Sequence, residues 1–142
     1  MNDDLPSWLL DQIAEDERIA RAGWFGFPWA DGPLPSGARW VADYHKIRER
    51  TDEQRLGDTV AETRSADVSR SRHIAEWNPK RVLGECDTKR QMVAEAKYWY
   101  DKVNNLEDYP ALSDRFDVAF GMLRLLALPY AHRPGYRDEW RP

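Results

Sequence analysis

Apolar residues recur at the three- and four-residue spacing of amphipathic helices in four stretches of the chain. These stretches predict helices over about residues 6–22, 66–77, 79–104 and 114–128. Gly23 is expected to end the first helix, Asn78 and Pro79 to begin the third, and Ser113 to cap the last. The candidate core is the set of residues on the apolar arcs of the three longest helices: Leu5, Trp8, Leu9, Ile13, Ile19 and Ala20, then Val82, Leu83, Cys86, Val93, Ala94 and Tyr100, then Phe116, Ala119, Phe120, Leu123, Leu126 and Ala127.

The middle of the chain, residues 38–65, is predicted to be a variable hairpin or insert. Residues 39–45 are rich in β-prone side chains, and residues 58–63 are their expected strand partner. The charged residues 48–57 between them are then expected to form a mobile hairpin tip. A helix is the competing interpretation, because Trp40, Tyr44, Ile47 and Thr51 also match helical spacing.

Two segments carry aromatic residues outside the predicted helices. Residues 23–37 contain Trp24, Phe25 and Trp29 among glycines and prolines. These rings are expected either to anchor an irregular segment in the core or to form an exposed binding patch. The tail, residues 130–142, is predicted to be a latch in which Tyr136 and Trp140 pack onto the last two long helices. The alternative is that the tail forms an arginine-aromatic strip that binds a nucleic acid or a phosphoprotein.

Composition and charge limit the class of protein. The chain has 142 residues, a mass of 16.6 kDa and one cysteine, which favours a single domain over residues 1–142 without disulfides. We predict an α+β, α-dominant fold of three to four helices around one core, with a small β-hairpin in the middle. The net charge of −4, with both signs interspersed, disfavours a general nucleic-acid binder. The acidic start and the short apolar runs predict a cytoplasmic protein without a membrane span.

Familiar catalytic and cofactor motifs are missing from the sequence. The three histidines are too far apart for a helical metal site, so no metal and no cofactor is expected. Cys86 lies on an apolar arc and is expected to be buried and inert. The glycines of residues 23–37 do not form a phosphate-binding loop.

Asp16 is a carboxylate on the apolar arc of the first helix. Arg90 holds a similar position on the third helix, and a guanidinium can bind a carboxylate through two hydrogen bonds. We therefore predict a largely buried and chiefly structural Asp16–Arg90 ion pair. A carboxylic acid of raised pKa in a pocket is the alternative role of Asp16.

Three segments, residues 10–22, 73–90 and 126–142, together resemble an uncharacterised family of small proteins from actinobacteria and their phages. The resemblance implies a mainly helical chain with a variable middle that forms a short β-hairpin, and a phage or prophage origin. His73 matches the family pattern, whereas Trp77 and Arg133 stand where relatives usually have histidine. The resemblance implies no established activity.

The function expected from the sequence is that of a non-enzymatic accessory or regulatory protein that acts through contact with another protein. Tryptophan, tyrosine and arginine dominate interface hot spots, and this chain has many aromatic residues outside its helix faces. One alternative is a nucleic-acid-associated regulator that uses the arginines of residues 48–72, and another is a small enzyme without a recognisable motif. The candidate binding residues are Asp16, Trp24, Phe25, Trp29, His73, Trp77 and Arg90.

Overall fold

A computed structural model describes residues 4–25, 39–50, 55–64, 68–105 and 110–142. The helices are α1 (Asp4–Phe25), α2 (Val68–Glu76), α3 (Pro79–Asn105) and α4 (Pro110–Ala127), and the strands are β1 (Arg39–Asp43), β2 (Lys46–Arg50) and β3 (Leu56–Glu62). Two short 3₁₀ helices, Leu128–Tyr130 and Asp138–Trp140, lie in the tail. The predicted helix-dominated α+β class is confirmed.

The described chain forms two compact units, one of residues 1–15 with 86–142 and one of residues 16–85. The prediction of a single domain stays a prediction.

The sheet of the second unit has three strands in the order β1-β2-β3, all antiparallel. The prediction of β1 and residues 58–63 as direct partners is wrong, because the chain already reverses at Tyr44 and His45 and β2 lies between them. Residues 48–50 and 56–57 therefore belong to strands rather than to a mobile tip, and residues 51–54 lie outside the described part. The helical alternative is wrong for residues 40–50 for the same reason.

Side chains hold the sheet and α2 together. Arg48 donates from Nε and Nη2 to the carbonyl oxygen of Gly57, at 3.1 and 3.0 Å, and its Nη1 lies 3.5 Å from Asp43 Oδ2. The fully buried Ser71 of α2 donates its hydroxyl to the carbonyl oxygen of Tyr44. These bonds satisfy backbone groups that the tight turn and the bulged β2–β3 pairing leave free.

Asn78 caps α3 as predicted. Its Oδ1 accepts the backbone N–H of Arg81 at 3.1 Å, and Pro79 opens the helix. The predicted stop of α1 at Gly23 is wrong by two residues, because a glycine inside a helix costs only about 1 kcal/mol and does not end it. The predicted start of α4 is late, since Pro110 suits the first position of a helix.

The buried side chains of the first unit come from α1, α3, α4 and the tail. Most are residues that the apolar arcs predicted, and the fully or nearly fully buried ones include Leu5, Leu9, Ile13, Cys86, Val93, Leu123 and Ala127. Two predicted core residues are exposed, Ile19 at 52% and Ala94. Ile19 lies near the edge of its arc, where a helical wheel separates buried from exposed positions poorly.

The tail of the first unit packs on α1. Tyr136 and Trp140 contact the ring of Trp8, with centroids 5.6 and 5.2 Å away, and Trp140 is almost fully buried. These rings were predicted to pack onto the last two long helices, and their contact with α1 was not foreseen. The buried Tyr130 accepts a hydrogen bond from Lys89 Nζ at 2.8 Å and lies 4.8 Å from the Arg133 guanidinium. The tail arginines are engaged within the protein, as Arg137 pairs with Asp4 at 2.5 Å.

Candidate interaction surfaces

The aromatic residues that the sequence placed in a loop lie partly in a helix. Trp24 and Phe25 are the last two residues of α1, so their assignment to an irregular segment is wrong. The helix continues through Gly23 because no residue there forbids helical backbone angles. Trp29 lies outside the described residues. The role of these three residues as a binding patch stays a prediction.

Asp16 and Arg90 are both half-buried, on α1 and α3. Arg90 Nη1 lies 4.0 Å from Asp87 Oδ1 one turn earlier on α3. The Asp16–Arg90 ion pair and any binding role for the two residues stay predictions.

His73 and Trp77 share a surface of the second unit. Their rings lie 6.5 Å apart, and Trp77 is 47% exposed. The Arg81 guanidinium stacks 4.3 Å from the Trp77 ring, while Arg81 also pairs with Glu85 at 3.2 Å. The structure therefore brings together two of the residues that the sequence named, and holds the tryptophan ring in place from one side.

The arginines proposed for nucleic-acid binding lie in different parts of the second unit. Arg48 is committed to Gly57 and Asp43 inside the sheet. Arg70 is exposed on α2 and lines a shallow cavity with His73 and Ile74, whereas Arg50 and Arg72 line a different cavity. The members of this set thus have different surroundings: one is used by the sheet, two line one cavity and two line another.

The inner face of α4 belongs to the core of the first unit. Leu123 and Ala127 are fully buried, and Phe116 and Phe120 stack with centroids 5.4 Å apart. The ring of Tyr100 on α3 lies 5.6 Å from Phe116. This face matches the apolar arc that the sequence predicted.

The opposite face of α4 is also apolar, and it is exposed. Val118, Met122 and Leu125, called here the outer stripe, recur at i, i+4 and i+7 and are 65%, 49% and 57% exposed. That spacing places the three side chains in one row along about two helical turns. Asp114 lies one turn before Val118 on α4, and the side chain of Asp114 is also exposed.

Comparison with known proteins gives the family. The chain matches a family of unknown function, DUF6221, over residues 2–142. The chain belongs to the DUF6221 family. The match confirms the resemblance to an uncharacterised family that three of its segments suggested. No curated protein and no solved structure matches the chain.

Among the residues that the structure describes, no group of three or more His, Cys, Asp or Glu side chains is placed to hold a metal ion. In the same part of the chain, no helix is long and apolar enough to cross a membrane.

The outer stripe of the DUF6221 protein was missed by the sequence analysis, although its signal is visible in the sequence. Positions 118, 122 and 125 have the same spacing as the buried face. A helix at the surface of a domain usually buries one apolar face and exposes a polar one, so a second apolar face is unusual. The predicted apolar arc of α4 is the more aromatic of the two faces.

Proposed function

We propose that this protein is a non-enzymatic accessory protein that binds another protein through the outer stripe of α4. The observation that carries the proposal is the exposure of Val118, Met122 and Leu125 in one row on a helix whose other face is buried. The partner offers an apolar groove or helix face that accepts three aliphatic side chains at helical spacing, which is a common mode of helix recognition.

The physical support is the cost of leaving these side chains in water. A single exposed leucine is ordinary, but aligned large apolar residues form a patch of the kind found at interaction sites. Burying apolar surface contributes about 25 cal/mol per Å², so three such side chains can supply several kcal/mol of binding free energy. Their backbone is preorganised because the inner face already fixes α4, which lowers the entropy that binding must offset.

The two alternative functions have less support. A nucleic-acid-binding function has less support because Arg48, one of its proposed contacts, is hydrogen-bonded within the sheet. The net charge of −4 also disfavours binding to a polyanion. For the small enzyme, the described residues contain no group of His, Cys, Asp and Glu side chains placed to hold a metal ion. The expected origin in actinobacteria or their phages and the cytoplasmic location belong to the same proposal, and they rest on the resemblance and on the sequence.

Affinity capture with matched variants tests the proposal. The tagged full-length protein, Leu125→Lys and Ile19→Lys are compared in lysate of the native host. Leu125 and Ile19 are aliphatic, on helices and exposed at 57% and 52%, so the two variants perturb folding similarly. We expect the wild type and Ile19→Lys to retain the same partner and Leu125→Lys to lose it. Equal recovery with all three proteins would refute a role for the outer stripe.

A further inference from the structure

An open cleft of about 550 Å³ in the second unit lies where the paired ends of β1 and β2 meet α2. The cleft is within the size range of small-molecule sites. Its polar lining consists of Arg39, Trp40, Arg50, Arg72, Glu76 and Asn78. It is separate from the outer stripe, which is on α4 of the first unit.

Positive charge is concentrated at this cleft. Arg39 and Arg50 are direct cross-strand partners, so their side chains leave the sheet on the same face. Like charges in this position repel each other. Within the described ranges, neither these two arginines nor Arg72 forms an ion pair, in contrast to Arg48 on the same strand pair. The fold thus retains an unfavourable arrangement that an anion would relieve.

Two buried N–H donors at the cleft lack acceptors. Trp40 Nε1 and Arg50 Nε are both inaccessible to solvent and have no hydrogen-bond partner among the described residues. A buried donor without an acceptor costs about 1–3 kcal/mol. An indole and a guanidinium only donate, so a group that pairs with them has to be an acceptor.

The remaining polar groups of the cleft do not supply that acceptor. Asn78 uses its Oδ1 to cap Arg81 and its Nδ2 to reach the carbonyl oxygen of Ala75. Glu76 Oε2 lies 3.8 Å from Arg81 Nη1, and its side chain is 77% exposed. Three arginines and one glutamate leave the lining with a net charge of +2.

We propose that this cleft binds the phosphate group of a small phosphorylated molecule. A phosphate monoester carries close to two negative charges near pH 7 and presents three acceptor oxygens, which match the +2 lining and its donor-only groups. A carboxylate brings one charge and two oxygens and matches them less well. The concave shape accepts a compact ligand, whereas a nucleic-acid strand needs an extended basic surface.

The indole N–H of Trp40 gives a direct readout. The ¹⁵N-labelled full-length protein is titrated at pH 7.5 and constant ionic strength with inorganic phosphate, a nucleoside 5′-monophosphate, acetate and a short single-stranded oligonucleotide. The Trp40 resonance is assigned by its loss in Trp40→Phe. We expect it to shift and saturate with the two phosphate compounds, and not with acetate or with the chloride that balances ionic strength.

Two arginine variants of α2 distinguish binding at the cleft from a nonspecific effect of removing one positive charge. Arg72→Gln should weaken phosphate binding at least tenfold. Arg70→Gln, also an exposed arginine of α2 but one that does not line this cleft, should change it less than twofold. The proposal is overturned by an unresponsive Trp40 resonance, by equal losses in the two variants, or by tighter binding of the oligonucleotide than of the nucleotide.

Discussion

The indole nitrogen of Trp8 donates a hydrogen bond to the carbonyl oxygen of Pro134 at 3.0 Å, across 126 positions of sequence. The next residue, Gly135, has a φ of +84°, and a Cβ there would lie 2.9 Å from the same nitrogen. The tail of the first unit therefore turns directly against α1, and only a glycine fits at the point of closest approach.

Gly135→Ala should lower the free energy of unfolding by about 1–3 kcal/mol, because it adds both backbone strain and overlap with Trp8. Chemical denaturation of the full-length protein measures the change. Gly84→Ala is the control: a methyl group there meets no described atom within 4 Å, and alanine favours a helix by about 0.5–1 kcal/mol. A Gly135→Ala protein as stable as the wild type would mean that the tail does not turn against Trp8 in this way.

Trp140→Ala should cost about 3–5 kcal/mol, because the ring is almost fully buried against Trp8 and Tyr136. Tyr136→Phe is expected to leave stability unchanged or raise it by up to about 1 kcal/mol. The Tyr136 hydroxyl is buried without a hydrogen-bond partner among the described residues, so its removal costs nothing. Thermal unfolding of both variants checks the pair, and a larger loss for Tyr136→Phe would contradict the described packing.

Tyr44→Gly should raise the stability of the protein. Tyr44 has a φ of +54°, which costs a side-chain-bearing residue about 1–2 kcal/mol, and the side chain is 77% exposed. Glycine offsets part of that gain through its greater freedom in the unfolded chain, so we expect a net gain of about 0.5–1 kcal/mol. Tyr44→Phe keeps the backbone strain and should be neutral. The denaturant midpoints of the wild type and the two variants measure these changes in stability. A destabilised Tyr44→Gly protein would show that the tyrosine ring supports the turn.

The sequence predicted the helices because their apolar spacing and the cap at Asn78 are local signals. It failed at the sheet, because the reversal at Tyr44 and His45 uses no glycine or asparagine and so lacks the usual hairpin signature. The buried face of α4, which packs through contacts such as Tyr100 with Phe116, was predicted correctly from its apolar arc, whereas the exposed outer stripe was overlooked. The cleft could not be predicted from the sequence either, because the register that pairs Arg39 with Arg50 depends on that turn.

Photo-crosslinking in the native host can show whether the outer stripe of α4 contacts another protein. A photoreactive amino acid is placed at Met122 in one protein and at Ile19 in the other, two positions with exposed fractions of 49% and 52%. We expect one crosslinked protein from position 122 that is absent from position 19 and is lost when Leu125→Lys is added. No crosslink from position 122, or the same products from both positions, would contradict it.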